Sequence, residues 1–313
     1  MKYTVKKIAG LIITLLIVSM LAFLAFELIP GDPARSILGT EATESKVQAL
    51  REEMGLNRPL PQRYGQWVKD FVTGDMGTSY SYQEPVKDLI ADKLPVTFYN
   101  DGDSVLYLFC FFSIPIGMLS VHYENRWIDK LFLIGNQVTM SIPPFFVGMI
   151  FTVIFGLTLR LFVPGGYISY TENVSGFLGY LIFPSLALAL PKAAMTAKMF
   201  RNALLSEMHK DYIRTAKSRG NGPWRILICH AFRNGILPVI TFLGMAAADL
   251  IANSIVIEQV FGIPGLGRTL ISSISNRDYP VVEAVIVLIA AVILILNTVV
   301  DLLYRALDKR IVL

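Results

Sequence analysis

"DYIRTAKSRGNGPWRILICHAFRNGILPVI", residues Asp211 to Ile240, decides how the chain is read. This long basic stretch carries Arg214, Lys217, Arg219, Arg225 and Arg233, and it separates two apolar runs. From Ala203 to Arg219 the residues favour a helix, with Leu204, Met208, Ile213 and Ala216 on one face. Gly220, Asn221, Gly222 and Pro223 then form a turn cluster. "WRILICHAFRN" restarts as an amphipathic helix and leads through Pro238 into the next apolar run. The expectation is a helix–turn–helix elbow over residues 203–235, anchored at both ends by apolar segments. Two readings of its charge stand open: a docking surface that a partner grips and moves, or a polybasic segment lying on anionic lipid headgroups.

The surrounding composition is that of a membrane protein. The 313 residues are 54% hydrophobic and only 17% charged, too little charge to cover a soluble chain of this length. The apolar residues are clumped into runs at Ile8–Ile29, Ser104–Val121, Leu131–Phe162, Phe177–Phe200, Ile236–Val260 and Val281–Tyr304. Several approach or exceed the roughly 20 residues that cross a bilayer. The fold class expected is therefore an all-α polytopic membrane protein with six transmembrane helices. Lys2, Lys6 and Lys7 precede the first run, Arg126 and Lys130 follow the second, and Arg305, Lys309 and Arg310 close the chain. "VPGGYISYTENVSG", between the third and fourth runs, has no Lys or Arg. The positive-inside rule then places both termini and the elbow in the cytoplasm. The first run has the grammar of a signal sequence. It is too long for an ordinary h-region and lacks an A-x-A-like site, so residues 1–30 read as an uncleaved first transmembrane helix. No internal repeat is visible, which weighs against folds built from inverted repeats.

Residues 31–103 are a polar interlude, read as an extracytoplasmic helical cap. Gly31 and Pro33, in "IPGDP", stop the first helix. "TESKVQALREEMGL" places Val47, Leu50 and Met54 at helical spacing after Thr43 as N-cap. "PLPQRYGQWVKDFV" is a second helix opened by Pro61, with Tyr64, Trp67, Val68 and Phe71 on one face, and "PVKDLIADKLP" a third, short one. Residues 104–313 form a five-helix core domain that includes the elbow.

Little in the chain suggests chemistry of its own. There is no basic arm or basic–aromatic interleaving for nucleic acid. Cys110 and Cys229 cannot make a secreted-type disulfide framework. No G-x-x-x-x-G-K-[ST] loop and no G-x-S-x-G occurs, and His122, His209 and His230 fit no metal spacing, so neither catalytic nor metal-binding residues are assigned. Gly262, Pro264, Gly265 and Gly267, in "GIPGLGR", read as a tight bend at an outer gate rather than a phosphate loop. Asp249 and Asn253 lie one turn apart among Ala246, Ala247, Ala248 and Ala252 in the fifth run. They line a translocation path or make an interhelical hydrogen bond. Lys192 and Lys198 are expected to snorkel to the inner interface, Asp301 and Arg305 to pair, and Met140, Phe145 and Phe146 to pack.

"DYIRTAKSRG" followed by "ILP" resembles the coupling loop of permease subunits of bacterial ATP-binding-cassette importers. "IPGDP", "GLNRPLPQRYGQWV", "GDMGTSY", "KLPVTF", "SIPPFFVG", "VFGIPGLGRTL" and "RDYPVVEA" are similar, in order and over nearly the whole chain, to the dipeptide/oligopeptide/nickel branch. The resemblance implies that Tyr212, Thr215, Ala216, Gly220, Ile236, Leu237 and Pro238 couple the chain to ATPase subunits. It implies a multi-pass protein of the bacterial cytoplasmic membrane that is not itself an enzyme. The expected partners are a second homologous permease, two ATP-binding-cassette ATPases and an extracytoplasmic substrate-binding protein. No cofactor belongs to this chain, since ATP and Mg would sit on the partner subunits. Di- and oligopeptides are the expected cargo; nickel or another small solute, or an ATP-independent secondary transporter, are the alternatives. One departure is "FYNDGDS" after "LPVT", where Asp101 and Asp103 shift the outer start of the second span.

Overall fold

The computed structural model describes residues 2–28, 33–38 and 42–307; Ile29–Asp32 of "IPGDP", with Lys309 and Arg310, lie outside them. Among the described residues the elements are helices, and the only strand-like pairing is an isolated bridge between Thr78 and Pro85. The chain divides into two compact units, Met1–Val96 with Pro264–Thr298, and Thr97–Ile263 with Val299–Leu313.

The first unit is built on α1 (Lys2–Leu28), whose apolar residues are exposed along most of its length. Among its described side chains Ser19, Ala22 and Phe23 are buried, under α4 (Leu60–Thr73). The expected aromatic stripe of α4 explains the contact. Tyr64 brings its hydroxyl 2.8 Å from that of Ser19, and Tyr64 and Trp67 pack on the Phe23 ring. Arg63, beside them, pairs with Glu27 at 2.5 Å. Before α4 come α2 (Pro33–Leu38) and α3 (Glu44–Glu53). Thr43 stands at the N-cap of α3, but its side chain makes no capping bond.

A buried carboxylate organises the turn after α4. Asp278 accepts hydrogen bonds from Ser79 Oγ (2.5 Å) and from the backbone N–H groups of Tyr80 (3.0 Å) and Ser81 (3.1 Å). It is fully buried, so each of these bonds replaces hydration the carboxylate has lost. "GDMGTSY" and "RDYPVVEA", two of the stretches that carry the family resemblance, thus meet through one side chain.

α5 (Val86–Leu106) runs unbroken through Pro95, Asp101 and Asp103. The short helix expected over residues 85–95 and the span expected to begin at Ser104 are therefore joined in one element. Several of the polar residues around the junction are hydrogen-bonded within the second unit, while Asp101 is buried with neither carboxylate oxygen bonded to a described residue. Thr97 donates to Glu258 at 2.5 Å, Asn100 Nδ2 lies 3.3 Å from Ser254, and Ser104 donates to the Asn100 carbonyl at 2.7 Å. The helix continues through a π-helical stretch, Tyr107–Ser113, into α6 (Ile114–His122).

The second unit is arranged around α9 (Val174–Met208), a 35-residue helix. It packs against the 107–113 stretch, α6, α7 (Trp127–Met140), α8 (Pro144–Phe151) and α13 (Leu237–Phe261). Ala187, Ala189, Ala193 and Ala197 are buried along it, so neighbouring backbones approach closely. Arg201 anchors α9 to α7 by a two-pronged contact with Asp129, Nε to Oδ1 at 2.9 Å and the terminal nitrogen to Oδ2 at 2.7 Å. Ser120 donates to the same carboxylate.

The run Leu131–Phe162, read above as one span, is bent. α7 and the helix that follows, α8 with its π-helical continuation Thr152–Thr158, meet at 99°. Pro143 and Pro144 at the break remove two backbone donors and bar α7 from continuing. Phe145 and Phe146 are exposed rather than packed, because α8 buries Val147 and Gly148 instead. Among the described residues four helices are long and apolar enough to cross a membrane, Lys6–Leu28, Val174–Met208, Leu237–Phe261 and Tyr279–Leu302 within α15 (Tyr279–Leu307), and five if the bent pair counts as one span. The protein is an all-α polytopic membrane protein.

Replacing Asp278 strands Ser79 Oγ and two backbone donors. Asp278→Ala is expected to destabilise the protein by about 3 kcal/mol, and Asp278→Asn by less, as lowered unfolding midpoints in detergent; an unchanged midpoint for the alanine variant would show that the turn does not depend on this carboxylate.

Candidate functional site

The elbow is two short helical pieces on a buried base. α9 ends at Met208, and after a break at His209 and Lys210 the chain forms α10 (Asp211–Ser218). The single helix expected from Ala203 to Arg219 is thus two. Glu207 supplies the reason: its carboxylate accepts from Lys210 Nζ at 2.6 Å and from the Tyr212 hydroxyl at 2.7 Å. Both partners reach it only if the chain turns between them. Asn234 Nδ2 closes the clasp on the Tyr212 oxygen at 3.2 Å. Burial and the Glu207 bond push the Tyr212 phenol above its ordinary pKa, and the same carboxylate raises the Lys210 ammonium.

Beyond α10 the chain turns on Gly220, at φ +79°. Only glycine adopts this left-handed conformation freely. The turn is locked by Asn221, whose backbone N–H and side-chain Nδ2 both bond the Ala216 carbonyl, at 3.4 and 2.9 Å. The return leg comprises α11 (Pro223–Ile226), a π-helical turn Leu227–Ala231 and α12 (Phe232–Gly235). Ile236 then caps α12, and Leu237 with Pro238 opens α13, where a proline lacking its N–H costs nothing.

The base of the elbow is apolar. Ile213 and Ala216 of α10 pack with Ile226, Leu227 and Ala231 of the return leg against Phe200 and Leu204 of α9 and Val121 of α6. Gly235 lies so close that a Cβ there would come 2.7 Å from Leu204 Cδ2. The upper surface is exposed and basic, with Arg214, Lys217, Arg219 and Arg225 around Gly220. Trp224 and Ile228 are exposed apolar residues within it, and Trp224 stacks on His122 with centroids 4.1 Å apart. Of the expected coupling residues, Tyr212, Thr215, Gly220, Leu237 and Pro238 are exposed, Ile236 is half-buried, and Ala216 is a buried anchor. Glu207 and Asn234 were missed because their hydrogen bonds leave no local pattern in the sequence.

The other expected residues are placed as follows. Asp249 pairs with Lys192 at 2.6 Å, linking α13 to α9, so Lys192 does not snorkel away. Lys198 likewise bonds Gln137, at 3.1 Å. Asn253 donates to the Asp249 carbonyl one turn back, at 2.7 Å. Gly262, at φ +70°, ends α13. Gly265 is the N-cap of α14 (Leu266–Ser275), with Pro264 before it and Gly267 buried in its first turn. Among the described residues no group of three His, Cys, Asp or Glu is placed to hold a metal ion.

A polytopic helical membrane protein bearing a rigid, basic elbow with a glycine at its exposed tip is the class defined by this fold and site. Residues 113–313 match the family described as the binding-protein-dependent transport system inner membrane component, and residues 1–99 match its N-terminal partner family. The chain belongs to this family of inner-membrane transport components and is a multi-pass protein of that membrane. It is 36% identical over 310 residues to a putative peptide transport system permease protein of Brucella abortus, covering 98% of this chain and 97% of the relative. It is 33% identical over 311 residues to a probable peptide ABC transporter permease protein of Sinorhizobium fredii, covering 99% and 98%. A glutathione transport system permease protein of Escherichia coli is 35% identical over 311 residues, covering 99% of each chain.

Two outcomes follow from the geometry. Tyr212→Phe removes both bonds of the phenol, and amide exchange across residues 209–222 is expected to rise tenfold or more, since a bond to a charged carboxylate is worth about 1.5–3 kcal/mol. Asp249 keeps 60% of its side chain exposed, so its pair with Lys192 should contribute at most ~1 kcal/mol. Asp249→Asn is expected to leave the unfolding midpoint nearly unchanged; a large loss would show the pair to be structural.

Proposed function

We propose that the chain is one half of the transmembrane pathway of an ATP-driven importer of di- and oligopeptides. It would carry six spans with both termini cytoplasmic, a second homologous permease as its other half, and two ATP-binding-cassette ATPases beneath the elbow. An extracytoplasmic binding protein would deliver substrate to the helices between α1 and α5. The chain catalyses nothing itself; ATP and Mg belong to the ATPases. Asp249 and Asn253 face the path, and Gly262, Pro264, Gly265 and Gly267 form the outer gate.

The observation that carries this reading is the build of the elbow. A surface loop lying on lipid needs no buried core of its own, whereas this one rests on a continuous apolar base and is held by the Glu207 clasp. Force applied at Gly220 would pass to α9 and α13 as a rigid-body displacement, because both legs are packed rather than tethered. The relatives named as peptide and glutathione permeases favour a peptide cargo.

Purification of the tagged chain from its host in mild detergent should bring two ATPase polypeptides, or a dimer of one, and a second permease in stoichiometric amount. A homo-oligomer without ATPase would overturn the importer reading. Within the assembled complex, Gly220→Val is expected to abolish peptide uptake while the ATPases still co-purify. No atom lies within 4 Å of where its Cβ would be, so the effect would come from the strained turn. Normal uptake by that variant would remove Gly220 from the coupling path.

A further inference from the structure

In the first unit a cavity of about 930 Å³ opens beside the Leu28 end of α1, between α4, the 75–80 turn and the first turn of α15. It sits where α1 ends and α15 begins. The exposed apolar run of α1 reaches Leu28 beside it, whereas α15, just past the cavity-lining Tyr279 and Pro280, is buried from Val281 to Val285. It therefore lies at a boundary between apolar and polar surroundings. Phe23, Phe26, Trp67 and Tyr279 form aromatic walls, with Phe26 and Tyr279 in contact at 5.2 Å between centroids.

The charges in the cavity do not balance. Glu283 lines it, is only 8% exposed, and makes no hydrogen bond or ion pair with any described residue. A carboxylate so buried is costly without a partner. The nearest cation is Arg63, which is committed to Glu27 at 2.5 Å and lies over the Phe23 ring at 5.8 Å. The lining carries four carboxylates, Glu27, Asp70, Asp75 and Glu283, against three guanidiniums, Arg51, Arg58 and Arg63, leaving room for one more positive charge. Arg58, also lining the cavity, is exposed at residue level and forms no ion pair with a described residue. It can meet an anionic group on the same ligand.

We propose that this cavity binds a primary ammonium carried beside an anionic group, as in an aminophospholipid headgroup or a free zwitterionic amine. The ammonium offers three N–H donors to Glu283 and Glu27 and a cation to the Phe23 and Trp67 faces. The anionic group meets Arg58. A quaternary ammonium has no N–H to give and is discriminated against. This site is independent of what the chain transports.

The test is native mass spectrometry of the purified full chain with phosphatidylethanolamine, phosphatidylcholine or phosphatidylglycerol, beside calorimetric titration with O-phosphoethanolamine. Phosphatidylethanolamine is expected to be retained about tenfold more than either other lipid, as one charge-assisted hydrogen bond would give. Glu283→Gln should abolish that preference. If O-phosphoethanolamine binds alone and displaces the lipid, the site accepts a soluble amine; if it does not, the acyl chains are required and the ligand is the lipid. Equal retention of all three lipids with no binding of O-phosphoethanolamine overturns the proposal. Should Glu283→Gln fail to elute as the wild type does, Arg58→Gln, on the exposed rim, should weaken binding about threefold by loss of an exposed ion pair, and unchanged binding there overturns it equally.

Discussion

Close approach to α9 is the constraint on which the second unit depends. In an apolar solvent, burial of greasy side chains gives helices little reason to associate, so contact area and internal hydrogen bonds must do so. The alanines of α9 provide the first by letting neighbouring backbones come near. The second comes from polar residues distributed among the packed helices. Ser185 of α9 lies 3.2 Å from the Asn100 carbonyl, Arg201 grips Asp129, and Ser113 reaches the Ala193 carbonyl at 3.3 Å. None of these groups could be left unpaired in hydrocarbon without loss of stability.

The elbow extends the same logic past the end of α9. Leu204 and Phe200 are still part of that helix, and they supply the floor on which α10 and the return leg rest. The break at Lys210 is therefore a redirection: α10 leaves the axis of α9 but stays packed on it. Rigidity and exposure coexist here because the apolar face of each short helix points down and the basic face up.

Features legible in the sequence were those set by local chemistry. The Gly220 turn, the aromatic stripe of α4 and the long apolar helices α1, α9, α13 and α15 follow from glycine, periodicity and hydropathy alone. Features that depend on distant partners were not legible. Lys192 looks like a lysine free to reach the interface until Asp249, 57 positions away, is brought beside it. "FYNDGDS" looks like the start of a loop because Ser185 and Ser254, the partners of Asn100, lie far along the chain. The bend of 99° after α7 was hidden for a different reason: proline in "SIPPFF" does not interrupt an apolar run when hydropathy is what is being read. In the site, the exposed tip was readable and the Glu207 clasp beneath it was not.

The Asp278 knot bears on how the protein is made. Its three donors lie near residue 80, but the acceptor is 199 positions further on. While the chain is being synthesised, Ser79 and its neighbours emerge early and must wait, unsatisfied or hydrated, through the insertion of most of the remaining helices. The first unit thus begins first but can close only once residue 278 has been made. A chain terminated before residue 278 would keep that turn open and its donors without their acceptor.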